Sequence, residues 1–302
     1  MNEKMKGTLL TLIAGVAWGL SGVSGQFVMA RGMNIESLTV LRLMISGVAL
    51  LALAAYQNPQ QLGRLLTDKK ALTRLFLFSM LGLVLNQIAY LTAIYYTNAG
   101  TATVLQYLCP ILVLTYVCLR QRQKPTAVEL VAMVFAIMGT FLIATHGQVH
   151  RLAVTPRGLF WGLFSAVTYA FYIILPTSLI KQYGSLAVIG TSMLLGSIEV
   201  SLFFQPWQHA LPFNTEIFWD LVGIVGVGTI FAYTAFLKGV SLVGQVNGSL
   251  LASIEPISSV FFAVLLVNET FYPMDWFGMI LILFSVLLVS MQDAVLARKS
   301  KQ

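Results

Sequence analysis

The stretch GTLLTLIAGVAWGLSGVSGQFVMA occupies residues 7–30 and contains no charged side chain. As an α-helix it would be about 36 Å long, which is enough to cross a hydrocarbon core of about 30 Å. The stretch follows Lys4 and Lys6, as a secretory signal would, but its apolar run is longer than the roughly 7–15 residues of a signal sequence. We therefore predict a retained transmembrane helix.

Similar apolar runs recur along the whole chain of 302 residues, of which 58% are hydrophobic and 10% charged. An ordinary soluble domain has about 25% charged residues, so most of this surface is expected to face the lipid bilayer. The runs predict an all-α polytopic membrane protein with ten transmembrane helices, at Gly7–Ala30, Ser37–Tyr56, Leu75–Tyr96, Thr101–Leu119, Thr126–Thr145, Leu159–Ile180, Ser185–Phe204, Ile217–Leu237, Val246–Val267 and Met274–Met291.

Lysine and arginine predict the orientation of these spans, because positively charged flanks stay on the cytoplasmic side. With a cytoplasmic N-terminus, fourteen basic residues fall on that side, among them Lys69. Three fall on the other side, namely Arg31, Arg151 and Arg157, while Arg42 lies inside a span. We expect a multi-pass protein of the cell inner or plasma membrane with both termini in the cytoplasm.

A weak internal repeat relates the two halves of the chain. An offset of 146 residues pairs Pro110 with Pro256 and Gly82 with Gly228, and the spans keep step through three helices. The predicted halves are residues 1–146 and 147–302, with five spans each, and an odd number of spans forces the second half to be inverted. Inverted repeats are typical of carriers that alternate between inward-open and outward-open forms around a site near the midplane.

Short motifs stand at characteristic places in both halves. The first half has Ala-Gly-Val-Ala-Trp-Gly at Ala14–Gly19, Arg42 early in the second span, and a run from Asn98 to Pro110. The second half adds Ser253-Ile-Glu-Pro256 and then Asn268-Glu269.

In these motifs and their layout the chain resembles the EamA-like family of the drug/metabolite transporter superfamily, over nearly its whole length. The resemblance implies a fold of two five-helix repeats and a transport function, in a family that includes exporters of amino acids and other metabolites. The chain departs from the family pattern at Gln123, where the resemblance implies a glutamate corresponding to Glu269.

Glu255 is the first candidate for a role in transport, since a carboxylate deep in an apolar span is costly unless it faces a partner, water or a cavity. Pro256 follows it and has no amide hydrogen, so a backbone carbonyl is freed one turn earlier. We predict that Glu255 carries a coupling proton. The alternative is a neutral acid that forms a structural hydrogen bond between helices.

Arg42 allows two interpretations. It lies five residues beyond Ser37, so its stem could extend to the outer membrane interface. Facing inward, it could instead attract a carboxylate on the substrate or pair with Glu199 in the seventh span. The sequence leaves both orientations open.

Aromatic and polar side chains also lie in mid-span, away from the edges where interfacial tyrosine and tryptophan collect. Trp18 and Ser21 share a face of the first span, and Tyr169 and Tyr172 share the equivalent face of the sixth. Helical spacing likewise places Thr103, Gln106, Tyr107 and Pro110 on one face of the fourth span. A polar-tipped aromatic cavity is predicted, with ordinary helix packing as the alternative. Its substrate-binding candidates are Trp18, Ser21, Arg42, Tyr90, Gln106, Tyr107, Tyr169, Tyr172 and Tyr233.

The sequence disfavours other classes of function. The basic residues flank apolar runs and form no patch of the kind that binds nucleic acid. No metal-binding cluster, cofactor motif or ATP-binding motif is present in the sequence, and no nucleophile with its base indicates an enzyme. We expect a secondary transporter of small metabolites, directed outward and coupled to protons, with a channel or facilitator as the main alternative. The oligomeric state is left open and includes a homodimer.

Overall fold

The computed structural model describes residues 3–121, 124–148, 153–208, 212, 214–243, 248, 251–252 and 254–299. Within these residues every regular element is a helix, in agreement with the predicted all-α class. Gln123, Ser253 and the predicted start of the ninth span at Val246 lie outside the described residues.

The first half of the chain forms seven helices, several of which continue one another. They are α1 (Glu3–Ala30), α2 (Ile35–Gln57), α3 (Pro59–Thr67), α4 (Lys69–Tyr96), α5 (Ala99–Gln106), α6 (Cys109–Gln121) and α7 (Ala127–Thr145).

The described part of the second half forms six longer helices and the short 3₁₀ turn Pro206–Gln208. The helices are α8 (Pro156–Ile174), α9 (Thr177–Tyr183), α10 (Ser185–Phe204), α11 (Thr215–Val243), α12 (Ile254–Val267) and α13 (Pro273–Lys299).

Eight helical segments among the described residues are long and apolar enough to cross a membrane. Two shorter apolar helices, Ile254–Val267 and Pro273–Leu288, lie where the last two spans are predicted. Large apolar side chains point away from the protein, as with Ile137 at 70% exposure and Phe203 at 69%. Such a surface is stable only in lipid, so the chain is an integral, multi-pass membrane protein.

Prolines interrupt two spans that the sequence predicts as continuous. Thr101–Leu119 is divided between α5 and α6 at Tyr107 and Leu108. Leu159–Ile180 is divided between α8 and α9 next to Pro176. Pro110 follows the first break, and Pro176 lies at the second. A proline within a helix removes one backbone hydrogen bond and crowds the preceding turn, which explains both breaks.

Two of the long helices contain π-helical segments, Phe78–Val84 in α4 and Val222–Phe231 in α11. Adding the offset of 146 residues to the first segment gives 224–230, which lies within the second. A π segment holds one extra residue per turn and widens the helix, so it re-aims the side chains it contains. Each of these two segments presents a hydroxyl to an ionisable residue on another helix, as described below.

The packing of the helices is reciprocal between the halves. Helix α1 packs against α11 and α12, while α8 packs against α4 and against α5 and α6. Helix α2 packs against α10, and α7 packs against α13. Exchanging the two halves converts the pairs of α1 into the pairs of α8 and leaves the pairs α2 with α10 and α7 with α13 unchanged.

Polar contacts join the helix ends at both faces of the bundle. At one face, Arg31 donates from Nε to Glu216 Oε2 at 2.9 Å and also contacts Asp220, which ties the end of α1 to the start of α11. At the other face, Tyr183 Oη donates to Asp68 Oδ2 at 2.6 Å, which ties α9 to the start of α4. This hydrogen bond is the main reason that the pKa of Asp68 lies below its ordinary value.

Candidate functional site

Arg42 faces the interior of the helix bundle and is partly buried. Its Nε donates to Thr229 Oγ1 at 2.9 Å, and Thr229 lies in the π segment of α11. The Thr229 hydroxyl in turn donates to the carbonyl of Ile224, five residues earlier, at 2.8 Å. The structure therefore places Arg42 in the inward of its two predicted orientations, with its terminal nitrogens unpartnered among the described residues.

Four aromatic candidates lie next to one another beside Arg42. The ring of Trp18 meets Tyr233 edge-on, with 5.6 Å between centroids. The hydroxyls of Tyr233 and Tyr172 are hydrogen-bonded, and Tyr172 stacks on Tyr169 at 5.8 Å. The charge of Arg42 interacts with both Tyr172 and Tyr233. These contacts form one aromatic wall from α1, α11 and α8.

Glu255 is held by Tyr107, whose Oη lies 2.9 Å from Glu255 Oε2. The same hydroxyl lies 3.2 Å from the carbonyl oxygen of Ala252. That carbonyl is the one that Pro256 frees, because residue 256 would otherwise donate to residue 252 in a regular helix. Tyr107 thus satisfies the orphaned carbonyl predicted from the proline and reaches the carboxylate as well.

The hydroxyl of Tyr107 has a single hydrogen for these two acceptors. When Glu255 is ionised, Tyr107 can donate to the carboxylate. When Glu255 is protonated, the acid can donate to Tyr107 Oη, and Tyr107 can donate to the Ala252 carbonyl. Only the protonated state of Glu255 satisfies both acceptors, because the ionised carboxylate takes the Tyr107 hydrogen away from the Ala252 carbonyl.

Tyr90 connects α4 to the helices on either side. Its Oη lies 2.7 Å from Thr103 Oγ1, and Thr103 Oγ1 lies 3.0 Å from Ser259 Oγ. Thr103 and Ser259 both donate to the carbonyl of Ala99, at 2.7 and 3.0 Å. Arg42 and Tyr169 also interact with Tyr90 electrostatically, which places Tyr90 at the same site.

Gln106 and Ser21 make contacts of a different kind from those of the other candidates. Gln106 is buried and donates from Nε2 to Asn86 Oδ1 at 3.1 Å. Ser21 is also buried and packs against Gly228 of α11. Helix α5 ends at Gln106, and the side chains of Gln106 and Tyr107 reach separate partners on α4 and α12.

The two partly buried ionisable residues at the site, Arg42 and Glu255, are not paired with each other. Arg42 and Glu255 interact electrostatically, but no ion pair joins them in the described part of the chain. Charges inside a protein are normally paired, because an isolated one loses its hydration without compensation. Arg42 and Glu255 therefore offer a ligand two separate contacts, a guanidinium for a negatively charged group and a carboxyl for a positively charged one.

Glu199 does not pair with Arg42, so that predicted alternative is wrong. The carboxylate of Glu199 is 6% exposed, and its Oε2 lies 3.1 Å from Ser79 Oγ. Arg42 donates to Thr229 Oγ1 instead. Both α10 and α11 pack against α2, but the hydroxyl that Arg42 contacts is that of Thr229 on α11.

Sequence reasoning missed several polar residues that support the site. Thr229 positions Arg42, and Asn86 Oδ1 accepts from both Gln106 and Thr168. Gln26 accepts from the amide of Ala99 at 2.9 Å and donates to Glu269 at 3.1 Å. Asn86 and Gln26 were visible as amides within apolar runs, whereas nothing in the sequence marks Thr229.

Comparison with known proteins agrees with these observations. The fold and the interior polar site define a multi-pass membrane protein of the transporter class. The model of the EamA-like transporter family matches the chain twice, over residues 5–145 and 156–291. The chain belongs to the EamA-like transporter family, as its motifs suggested.

Named relatives support the same class. The chain is 35% identical over 299 residues to the uncharacterized inner membrane transporter YicL of Salmonella typhimurium, with 99% of both chains covered. It is 24% identical to the uncharacterized transporter YwfM of Bacillus subtilis, with 95% of both covered. One solved crystal structure shares the fold at a TM-score of 0.63 and 17% identity, covering 95% of this chain and 98% of that one.

Proposed function

We propose that this chain is a secondary active transporter that exports small carboxylate-bearing metabolites, such as amino acids or related compounds, in exchange for protons. The observation that carries the proposal is the unpaired presence of Arg42 and Glu255 beside one aromatic wall. A guanidinium binds carboxylates with directional hydrogen bonds, and Arg42 has terminal nitrogens to offer. Glu255 can accept a substrate ammonium group or a proton.

We infer that the ten predicted spans form two inverted halves, residues 1–146 and 147–302. Three observations support this architecture: the π segments 146 residues apart, the reciprocal helix packing, and two successive matches to the family model. The candidate residues come from both halves. Exchange of conformations between inverted halves would expose such a site to each side of the membrane in turn.

The orientation proposed for these halves has both termini and the loop 57–73 in the cytoplasm, with 147–156 and 206–216 outside. The charge bias of fourteen basic residues against three supports it. A cysteine at Lys69 should escape a membrane-impermeant thiol reagent in intact cells, whereas one at Gln148 should react. Both side chains are exposed, so reactivity reports the side of the membrane. Labelling at Lys69 without labelling at Gln148 would reverse the orientation.

The proposed function can be tested by comparing metabolites outside cells that overproduce the protein with those outside cells that lack it. Export predicts accumulation of one or a few carboxylated metabolites in the medium of the overproducing cells. Flux of those compounds in reconstituted vesicles should then saturate and should run uphill when a pH gradient is imposed. Flux that never exceeds equilibrium would indicate a channel or facilitator instead.

A further inference from the structure

Two contacts join corresponding pairs of helices in the two halves, at different positions along those helices. In one, Thr229 of the π segment in α11 receives the hydrogen bond of Arg42 on α2. In the other, Ser79 of the π segment in α4 contacts Glu199 on α10. Each π segment therefore meets, through a hydroxyl, an ionisable side chain of a helix from the opposite half. The first contact has a permanent charge, whereas the second has a group that can take up a proton.

The hydroxyl of Ser79 has a single hydrogen and two acceptors within reach. Ser79 Oγ is 2.8 Å from the carbonyl oxygen of Ser192 and 3.1 Å from Glu199 Oε2. The shorter distance is typical of a hydroxyl that donates to a neutral oxygen. Both contacts can be hydrogen bonds at the same time only when Glu199 is protonated and donates to Ser79 Oγ.

The surroundings of Glu199 also disfavour a charge. Its side chain is 6% exposed, and Oε1 has no hydrogen-bond partner among the described residues. The elements packed against α10 contain charged or titratable residues, but in the described structure none of them forms a hydrogen bond or ion pair with Glu199. These residues are Glu36, Arg42 and Tyr56 on α2, Arg64 on α3, Asp68 before α4, Lys69, Lys70, Arg74, Tyr90, Tyr95 and Tyr96 on α4, and Lys181 and Tyr183 on α9.

We propose that Glu199 is a second protonation site, whose neutral acid fastens the π segment of α4 to α10 and whose ionisation releases it. The contact is close, since a Cβ added to Gly196 would lie 3.1 Å from Ser79 Oγ. In the protonated state the chain of donors runs from Glu199 to Ser79 and on to the Ser192 carbonyl. Loss of the proton leaves Ser79 with two acceptors and places an uncompensated charge in the interface, so the helices separate or admit water.

This site differs from Glu255 in its neighbours and in its role. Glu255 contacts Tyr107 and interacts with Arg42, whereas the contact of Glu199 among the described residues is with Ser79 of α4. Only the predicted effect of Glu199 on flux rests on the proposed transport function. The protonation state itself can be measured on the purified protein whether or not it transports anything.

Infrared spectroscopy of the purified protein tests the protonation state directly. The carbonyl stretch of protonated carboxylic acids at neutral pH should contain a component that is lost in Glu199→Gln and retained in Glu255→Gln. In Ser79→Ala its frequency should shift, because the acid loses its hydrogen-bond acceptor. The control Thr191→Val removes a buried hydroxyl of α10 that has no partner in the described structure, and it should leave the band unchanged. A band insensitive to Glu199→Gln, or one that does not shift in Ser79→Ala, would overturn the proposal.

Flux in vesicles, with equal pH on both sides, tests the regulatory role. Wild-type flux should fall at alkaline pH by about fivefold, the equivalent of one net hydrogen bond. Glu199→Gln keeps a donor to Ser79 at every pH, so its flux should fall less at alkaline pH than that of the wild type, and the remaining pH dependence should be that of Glu255. If Glu199→Gln folded but showed no flux at any pH, transport would require a carboxyl that gains and loses a proton at this position. Glu199 would then not act as a contact that holds α4 to α10. Absence of flux in the wild type would contradict the proposed function and leave the infrared result to decide the protonation site.

Discussion

Replacement of Arg42 by glutamine is expected to weaken binding of carboxylated substrates by about 30-fold or more. The estimate follows from the cost of truncating one partner of a buried, hydrogen-bonded charge pair, which is about 2 kcal/mol at least. Glutamine can still donate to Thr229 Oγ1, so the helix contact that Arg42 makes at 2.9 Å is largely kept. The loss should therefore appear in substrate affinity, measured as the half-saturating concentration in vesicle flux, and should leave protein yield unchanged.

Three comparisons make this prediction specific. Arg42→Lys keeps the charge but loses the planar fork of donors, so its affinity should fall between those of wild type and Arg42→Gln. Thr229→Val removes the acceptor of Nε without removing the charge, and should cost less than either change at Arg42. The amide analogue of the substrate has no carboxylate, so wild type and Arg42→Gln should handle it alike. An Arg42→Gln protein with unchanged affinity for the carboxylated substrate would exclude Arg42 from substrate binding.

Much of the aromatic wall could be predicted from the sequence because it depends on local helical spacing. Trp18 on α1 and the pair Tyr169 and Tyr172 on α8 follow the period of one helical face, and stripes of this kind are visible in any single span. Their mid-span position marks them as different from interfacial aromatics. Helical spacing does not predict which side chain of another helix each aromatic residue contacts. Tyr233 meets Trp18 because α1 packs against α11.

The remaining parts of the site depend on departures from regular helix geometry. A π segment adds a residue within a turn, so the register of Thr229 and Ser79 cannot be read from a period of 3.6 residues. The break between α5 and α6 likewise cannot be read from the spacing of the residues on either side of it. The sequence does reveal that Pro256 frees a carbonyl. It does not reveal that Tyr107, 145 residues from Ala252 in the chain, donates to it.

Replacement of Glu255 by glutamine is expected to abolish uphill transport while substrate exchange continues. An exchange of one proton for one substrate allows about tenfold accumulation for each unit of pH gradient. Glu255→Gln cannot bind or release a proton, so accumulation should fall to the equilibrium level. The amide can still donate to Tyr107 Oη, as the protonated acid does at 2.9 Å, so folding and insertion should be preserved. Reconstituted vesicles with an imposed pH gradient, and separately with substrate on both sides, measure the two activities.

Tyr107→Phe provides the matched control for this result, because it removes the hydroxyl that serves both Glu255 and the Ala252 carbonyl. Glu255 remains able to exchange a proton in this variant, so coupling should survive. The ionised carboxylate loses a donor, and the freed carbonyl loses its partner, so each protonation state becomes less stable by about one hydrogen bond. We therefore expect slower transport with an unchanged final accumulation ratio, since the ratio depends on the stoichiometry of coupling and not on the rate. If Glu255→Gln instead accumulated substrate as wild type does, Glu255 would be a structural acid and the coupling proton would have to be carried elsewhere.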